Sequence, residues 1–476
     1  MQKENGRFYT PTYMVENILD MSGYYGNQIL KKHAIDNSCG DGAFLSEIVR
    51  RYCQESKKAN ISLEETKKDL EIYIHGIEIE ITEVKKCIDN LNKIVFDFGI
   101  EQVDWDIICG DALLIDKYNG QMDYVLGNPP YVRVHNLGDS FDDIKAFSFA
   151  QDGMTDLYIV FYEIGIKMLS KNGTLGYITP SSFFNSIAGS YMRKVFVNDN
   201  LIDKICNLRH YQAFNATTYT TIVIIKKNKA SENVDCYLFD EKNKIPFYID
   251  TLSPNDYYIA GNFYFDKKEK LAVISKIHSN LGKCDIMVKN GYATLCDEVF
   301  IHDFDFDSKY IIPVVKSSRG IVKKAFFPYD CSGSLIPEEE LILDNKMYAY
   351  LLKHKEKLLN RSNENSDKAY WYAYGRSQAI KDTYKNKLSI NSLLRTIDDF
   401  KFVEAPKGTG VYGGLYIVSD TFSMEEIKNV LQTEDFFNYI SLLGKYKNGG
   451  YYTFSSKDVK VYLDYKFAYD GGIFIC

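Results

Sequence analysis

Residues 33–56 read HAIDNSCGDGAFLSEIVRRYCQES. Ala34 and Ile35 run into a turn carrying Gly40 and Gly42, and from Ala43 the apolar residues recur at helical spacing. That is a buried strand, a tight turn and an amphipathic helix in succession. The pattern repeats outward. IYIHGIEIE (72–80) reads as a second strand, TEVKKCIDNLNKIV (82–95) as a helix and VDWDIICGDAL (103–113) as a third strand. YVLGNPPYV (124–132) is a fourth strand ending at its prolines. LYIVFYEIGIKMLSKNG (157–173) predicts a helix stopped by Asn172-Gly173, with further strands in LGYITP (175–180) and TIVIIKK (221–227). Such alternation predicts an α/β fold with a doubly wound, mostly parallel sheet, whose ligands bind at the carboxyl ends of the strands. After KKNKASENVDC (226–236) the pattern dissolves into short β-rich pieces, loops and a few helices. The reading is two domains, 1–235 and an irregular α+β domain at 236–476.

Composition limits the classes. The 476 residues are 45% hydrophobic and 25% charged, as in ordinary globular proteins. An aromatic content of 14% fits both a surface that stacks on flat groups and an AT-rich genome. Ten cysteines stand singly, without a CxxC pair or a Cys/His cluster, which suggests reduced thiols in a cytoplasm, with no zinc site and no metal. The N-terminus MQKENGRFYT has no apolar leader, and no run of about 18 apolar residues suggests a membrane span. Net charge is −7, yet residues 346–387 hold ten Lys/Arg against four Asp/Glu. Such a basic island fits phosphate contact or a solvated helix face.

The chemistry gathers at the predicted strand ends. Asp36-Asn37-Ser38-Cys39-Gly40-Asp41-Gly42 lets the backbone pass close to a ligand before a helix N-terminus, without the GxGxxG pattern of pyrophosphate sites. Glu78 closes the second strand, where a carboxylate can accept from two vicinal hydroxyls of a ribose. Asp111 closes the third and can accept from an exocyclic amine. Asn128-Pro129-Pro130-Tyr131 closes the fourth. Proline fixes its own φ and pushes its predecessor toward extended backbone. The Asn128 side-chain carbonyl and the Pro129 backbone carbonyl can then converge on one –NH2 group, while Tyr131 offers a face to a flat ring. Each feature alone has a plain structural explanation. Their occurrence in order at four successive strand ends does not.

These residues resemble the DNA adenine-N6 methyltransferases of the gamma arrangement, the TaqI-like group, over essentially the whole chain. The resemblance implies a class I S-adenosylmethionine-dependent methyltransferase fold at 1–235, followed by a DNA target-recognition domain. Gly6-Arg7-Phe8-Tyr9-Thr10-Pro11 resembles the segment that closes over S-adenosyl-L-methionine, with Thr10 as the matching residue. Asp36, Asn37, Ser38, Cys39 and Gly40 would then surround the methionine part, Glu78 the ribose and Asp111 the adenine amine. Asn128, Pro129, Pro130 and Tyr131 match the catalytic tetrad, with Asn128 and Pro130 also touching the cofactor. Phe214, in AFNATTYTTIVIIKK, matches a second aromatic that sandwiches the extruded base. NGYATLCDEVFI (290–301), HKEKLLNRS (354–362) and WYAYGRS (371–377) resemble parts of the recognition domain.

The implied reaction is methylation of N6 of an adenine flipped out of double-stranded DNA. Alternatives are a protein glutamine-N5 or RNA methyltransferase using the same cradle, and a non-catalytic DNA-binding relative. The glutamine enzymes carry a small helical domain before the catalytic one, whereas here the catalytic pattern starts almost at residue 6. No nuclease segment is legible before it, so the expectation is a monomeric modification enzyme with any cognate restriction endonuclease on a separate chain.

Overall fold

A computed structural model describes residues 9–133, 144–214, 218–361, 370–376 and 378–469. Residues 1–8, 215–217, 362 and 377 of the stretches quoted above, and part of the 346–387 run, lie outside the described residues. The chain divides into two compact units, Met1–Ser275 and Lys276–Cys476.

The first unit is built on nine strands: β1 (Ala34–Asp36), β2 (Ile74–Glu78), β3 (Asp106–Cys109), β4 (Met122–Gly127), β5 (Leu169–Pro180), β6 (Ile202–Asn207), β7 (Thr220–Lys226), β8 (Val234–Asp240) and β9 (Ile245–Leu252). Their order is β3-β2-β1-β4-β5-β7-β6-β8-β9. Pairing is parallel from β3 through β5 and between β6 and β8, so only β7 and β9 run against the rest. The expected mostly parallel, doubly wound sheet is the observed one. Its central strands are buried on both faces, which is why they read as apolar runs rather than alternating ones.

Helices α1 (Thr12–Met21), α2 (Ala43–Lys58), α3 (Leu63–Tyr73), α4 (Ile81–Asp97), α5 (Leu157–Met168) and α6 (Ser190–Asn198) accompany the sheet. In α2, Phe44, Leu45, Ile48, Val49, Tyr52 and Cys53 form the buried stripe. In α4, Val84, Cys87, Leu91 and Val95 do the same. Gly42 caps α2 at φ +89°, and a Cβ there would stand 2.7 Å from Cys87 Sγ. Glycine is therefore what lets the α2 start approach α4.

Three expectations are corrected. First, the strand read over 72–80 begins only at Ile74, because Ser62 caps α3 by accepting from Glu65 N and that helix runs to Tyr73. Second, α5 ends at Met168, and β5 begins at once with Leu169. Asn172-Gly173 is no helix stop: Gly173 lies where a Cβ would be 2.6 Å from Met122 O, beside a register break between β4 and β5. Third, the sheet does not end near 235. β8 pairs with β6 and β9 with β8, so the 235/236 boundary cuts through a strand and the compact unit extends to Ser275. The polar run 227–233 is a connection within the sheet, not a linker.

The second unit is α+β. Antiparallel strands Met287–Asn290, Leu415–Val418, Lys387–Ile390 and Phe402–Ala405 form one sheet. Ile321–Phe326, Ile311–Lys316 and Gly410–Tyr412 form another. Its core gathers Tyr292, Phe300, Phe326, Trp371, Tyr372 and Tyr374. Arg361 joins the three stretches singled out in this region. Its Nε donates to Leu358 O (2.8 Å), Nη1 to Thr294 O (2.9 Å) and Ala373 O (2.8 Å), and Nη2 to Trp371 O (2.8 Å). Lys387 is also internal. Its Nζ donates to the carbonyls of Asp382, Thr383 and Lys385, and burial lowers its pKa to about 8. Two of the ten basic residues in the 346–387 run are therefore structural. Among the described residues no helix is long and apolar enough to cross a membrane.

Arg361→Met keeps the aliphatic stem but leaves those carbonyls without their donor, and should cost about 2–4 kcal/mol in urea denaturation. The exposed Lys346→Ala in the same run should stay within about 0.5 kcal/mol.

Candidate active site

The residues predicted to act lie where the parallel strands end. Asp36 closes β1 and Glu78 closes β2. Asp111 follows β3 by two residues, and Asn128 follows β4 directly. A backbone network ties them together. Asp36 Oδ1 accepts from Ser38 N (3.0 Å), which turns the chain out of the strand. Cys39 N donates to Ile77 O (2.9 Å), and Gly40 N to Glu78 Oε2 (3.0 Å). Glu78 Oε1 accepts from Glu80 N (3.0 Å), while Gly110 N donates to Glu78 O (2.9 Å). Asp111 Oδ1 accepts from Leu113 N (2.9 Å). The amides thus hold each carboxylate in one rotamer.

Asp36 is the electrostatic centre. Burial pushes its carboxyl pKa up to about 8, the Ser38 amide opposes this, and Glu78 and Asp41 add to the rise. A buried carboxyl among further carboxylates is stabilised as an anion by a cation, so this end of the site suits a positively charged ligand. The turn below it is not acidic in the same way. The Cys39 thiol is held well above its usual pKa by its hydrogen bond with Cys87 and by burial, so it is no thiolate nucleophile. Asn37 is buried and oriented by Tyr177, whose hydroxyl donates to Asn37 Oδ1 (2.9 Å). Ile79 and Leu114, next to Glu78 and Asp111, are 59% and 70% exposed and offer apolar surface to a ring.

The Asn-Pro-Pro-Tyr segment is held from three sides. Asn128 Nδ2 donates to Thr10 Oγ1 (3.1 Å), which makes Nδ2 the donor end of the amide and Oδ1 the acceptor end. Ser38 Oγ lies 3.5 Å from Asn128 O. Tyr131 Oη donates to Ile178 O (3.0 Å) and is thereby fixed as a ring, and burial raises its phenol far above neutrality. Thr10 belongs to a short strap, because Tyr9 Oη reaches Glu83 Oε2 on α4 (3.4 Å). Phe214 is brought to Tyr131, with ring centroids 6.0 Å apart at 76°. The rings meet edge to face, the preferred arrangement of touching aromatics, rather than as parallel plates. Tyr158 makes a similar contact on Tyr131 at 6.3 Å and 80°.

Among the described residues, Asp36, Glu78, Asp111 and Asn128 thus lie at or just past the carboxyl ends of parallel strands, with Thr10 bonded to Asn128 and Phe214 against Tyr131. Tyr177, Tyr158 and Gly127 were not among the residues singled out in the sequence. A Cβ on Gly127 would stand 2.6 Å from Asp36 Oδ1, so the glycine makes room for the carboxylate. Its signal in the sequence is only a glycine closing an apolar strand.

Because the folded pKa of Asp36 lies above its unfolded value, the stability it contributes is fully present below about pH 4 and is lost as pH rises through about 8. Between those limits wild type should lose about 1.4 kcal/mol per pH unit relative to Asp36→Asn, which keeps the shape and cannot ionise. Chemical denaturation of both proteins from pH 5 to 9 measures the difference.

Comparison with known proteins agrees with this geometry. Residues 45–214 match the model of the Eco57I restriction-modification methylase family. The type II methyltransferase M.BstVI of Geobacillus stearothermophilus is 25% identical over 77% of this chain and 74% of its own length. The type II restriction enzyme and methyltransferase RM.Eco57I of Escherichia coli is 23% identical over 91% of this chain, which spans 54% of that longer protein. Among solved structures, the type IIL restriction-modification enzyme MmeI in complex with DNA shares the fold. Its TM-score is 0.66 at 15% identity, covering 94% of this chain and 63% of that one. Residues 45–214 thus resemble an Eco57I-type restriction-modification methylase domain, and the chain is similar to type II methyltransferases.

Proposed function

We propose that the protein transfers a methyl group from S-adenosyl-L-methionine to N6 of an adenine flipped out of double-stranded DNA. The observation that carries this reading is the Asn128 amide. Thr10 takes a hydrogen from its donor end just past the close of β4, and its Oδ1 and the Pro129 carbonyl would be the two acceptors of the target amine. Two acceptors and a fixed aromatic ring suit a flat ring bearing –NH2. S-adenosylmethionine supplies an electrophilic methyl group on a sulfonium. Asp36 and the turn through Gly40 would face its cationic methionine part, and the burial of the Asp36 carboxyl beside Glu78 and Asp41 fits a positive charge. Glu78 would accept from the ribose hydroxyls, since a carboxylate has acceptor capacity beyond the two amides that hold it. Asp111 would accept from the adenine amine, with Ile79 and Leu114 against the ring.

The chain's own contribution is then positioning. Asn128 Oδ1 and Pro129 O accept the two hydrogens of the target amine and draw its lone pair out of conjugation with the ring. Tyr131 and Phe214 exchange their edge-to-face contact for two face contacts on the base, each worth about 1–3 kcal/mol. Tyr131 does not act as a base, because its hydroxyl is spent on Ile178 O and its phenol stays protonated. The second unit would supply DNA recognition, as the DNA in the MmeI complex suggests by analogy of fold. A separate restriction endonuclease would be the partner in a modification role.

Long-read sequencing of DNA from a methylation-free host expressing the chain should reveal N6-methyladenine at one sequence motif. The signal should vanish with Asn128→Ala, a loss of at least about 100-fold for an acceptor of this kind. Unmodified DNA together with methyl transfer to protein or RNA would overturn the proposal.

A further inference from the structure

The β8–β9 hairpin has a use in the site. Its turn brings Lys244 against two tyrosines from distant parts of the chain. Tyr13 Oη and Tyr211 Oη are 2.6 Å apart. Lys244 Nζ donates to Tyr211 Oη at 2.8 Å and lies 4.2 Å from the Tyr211 ring centroid and 5.8 Å from that of Tyr13. The Tyr211 ring stacks on Phe239 of β8 at 4.9 Å and 27°. Asn17 Nδ2 of α1 donates to Lys244 O at 2.8 Å, closing the contact from the backbone side. Lys244 itself has φ +60°, a left-handed conformation that glycine or asparagine adopts at lower cost. The side chain at this position is the one that reaches both tyrosines.

Each tyrosine is three residues from a residue of the site. Tyr13 follows Thr10, which holds the Asn128 amide, and Tyr211 precedes Phe214, which meets Tyr131. The support of the acceptor cradle and the support of the second aromatic therefore share one hydrogen-bonded cluster. We infer that Tyr13, Tyr211 and Lys244 are positioning residues that tie the Thr10 strap to the Phe214 loop, so that filling the cofactor side strengthens capture of the target base. By linkage, DNA then strengthens cofactor binding by the same factor. This inference rests on the function proposed above.

The test uses the full chain, long unmethylated phage DNA and S-adenosylhomocysteine. Calorimetric Kd for S-adenosylhomocysteine is measured with and without saturating DNA, beside methyl transfer from labelled S-adenosylmethionine. In wild type, DNA should tighten binding about five- to tenfold. Tyr211→Phe keeps the stacked ring and Lys244→Met keeps the stem. Both should reduce that ratio to near one and lower kcat about tenfold. Kd without DNA should be unchanged and Tm should stay within about 3 °C. Lys244→Arg should restore most of the coupling. A wild-type ratio of one, or variants that keep the wild-type ratio and kcat, would overturn the cluster's role even if the enzyme methylates DNA. A loss of kcat that simply follows Tm would do the same. If wild type transfers no methyl to DNA, the functional reading itself fails, and this inference with it.

Discussion

The site depends on a space one carbon wide. Gly127 ends β4 beside β1, and the position its Cβ would take lies 2.6 Å from Asp36 Oδ1. With that space, the Asp36 carboxyl can turn inward and receive Ser38 N, which bends the chain into the turn at 37–40. The turn delivers Gly40 N to Glu78, and the Glu78 backbone carbonyl receives Gly110 N ahead of Asp111. The ends of β1, β2 and β3 are thus joined by hydrogen bonds that all begin next to the residue preceding Asn128. An alanine at 127 would overpack the junction between the two halves of the site.

The same geometry explains why the centre of the site is electrically unusual. Parallel strands bring their carboxyl ends together, and here three of them bring acidic side chains. Asp36 is buried, and the groups acting on it besides the Ser38 amide are Glu78 and Asp41, so its anion is disfavoured until a cation arrives. At the end of the neighbouring strand β4 the requirement reverses: Asn128 and Pro129 present neutral acceptors. A cationic methyl donor on one side and a neutral amine on the other match these two environments. The Thr10 strap borders both, since Thr10 holds Asn128 while Tyr9 reaches Glu83.

What could be read in the chain divides along a physical line. Residues at strand ends were legible because function there breaks local rules. Asn128-Pro129-Pro130 after a buried strand and Glu78 closing one are poor choices for a mere turn. Residues that support them were not. Tyr177 lies within a buried apolar strand and looks like any core aromatic until its hydroxyl meets Asn37. Lys244 lies in a polar turn, where lysine is unremarkable without the backbone angle. The edge hairpin β8–β9 was hidden because six of the seven residues before it are polar and because Phe247 and Tyr248 are exposed, so no buried pattern marks β9. In the second unit, the three stretches that carry the family resemblance meet at Arg361. Those contacts of Arg361 hold the core of the unit together.

The central claim is that the Asn128–Pro129 acceptors receive the amine of an adenine. Its most direct measurement is mass spectrometry of nucleosides from unmethylated DNA incubated with the purified protein and S-adenosylmethionine. The account predicts N6-methyldeoxyadenosine as the methylated product. 5-Methyldeoxycytidine or N4-methyldeoxycytidine in its place, or label recovered on protein glutamine with the DNA unmodified, would contradict it.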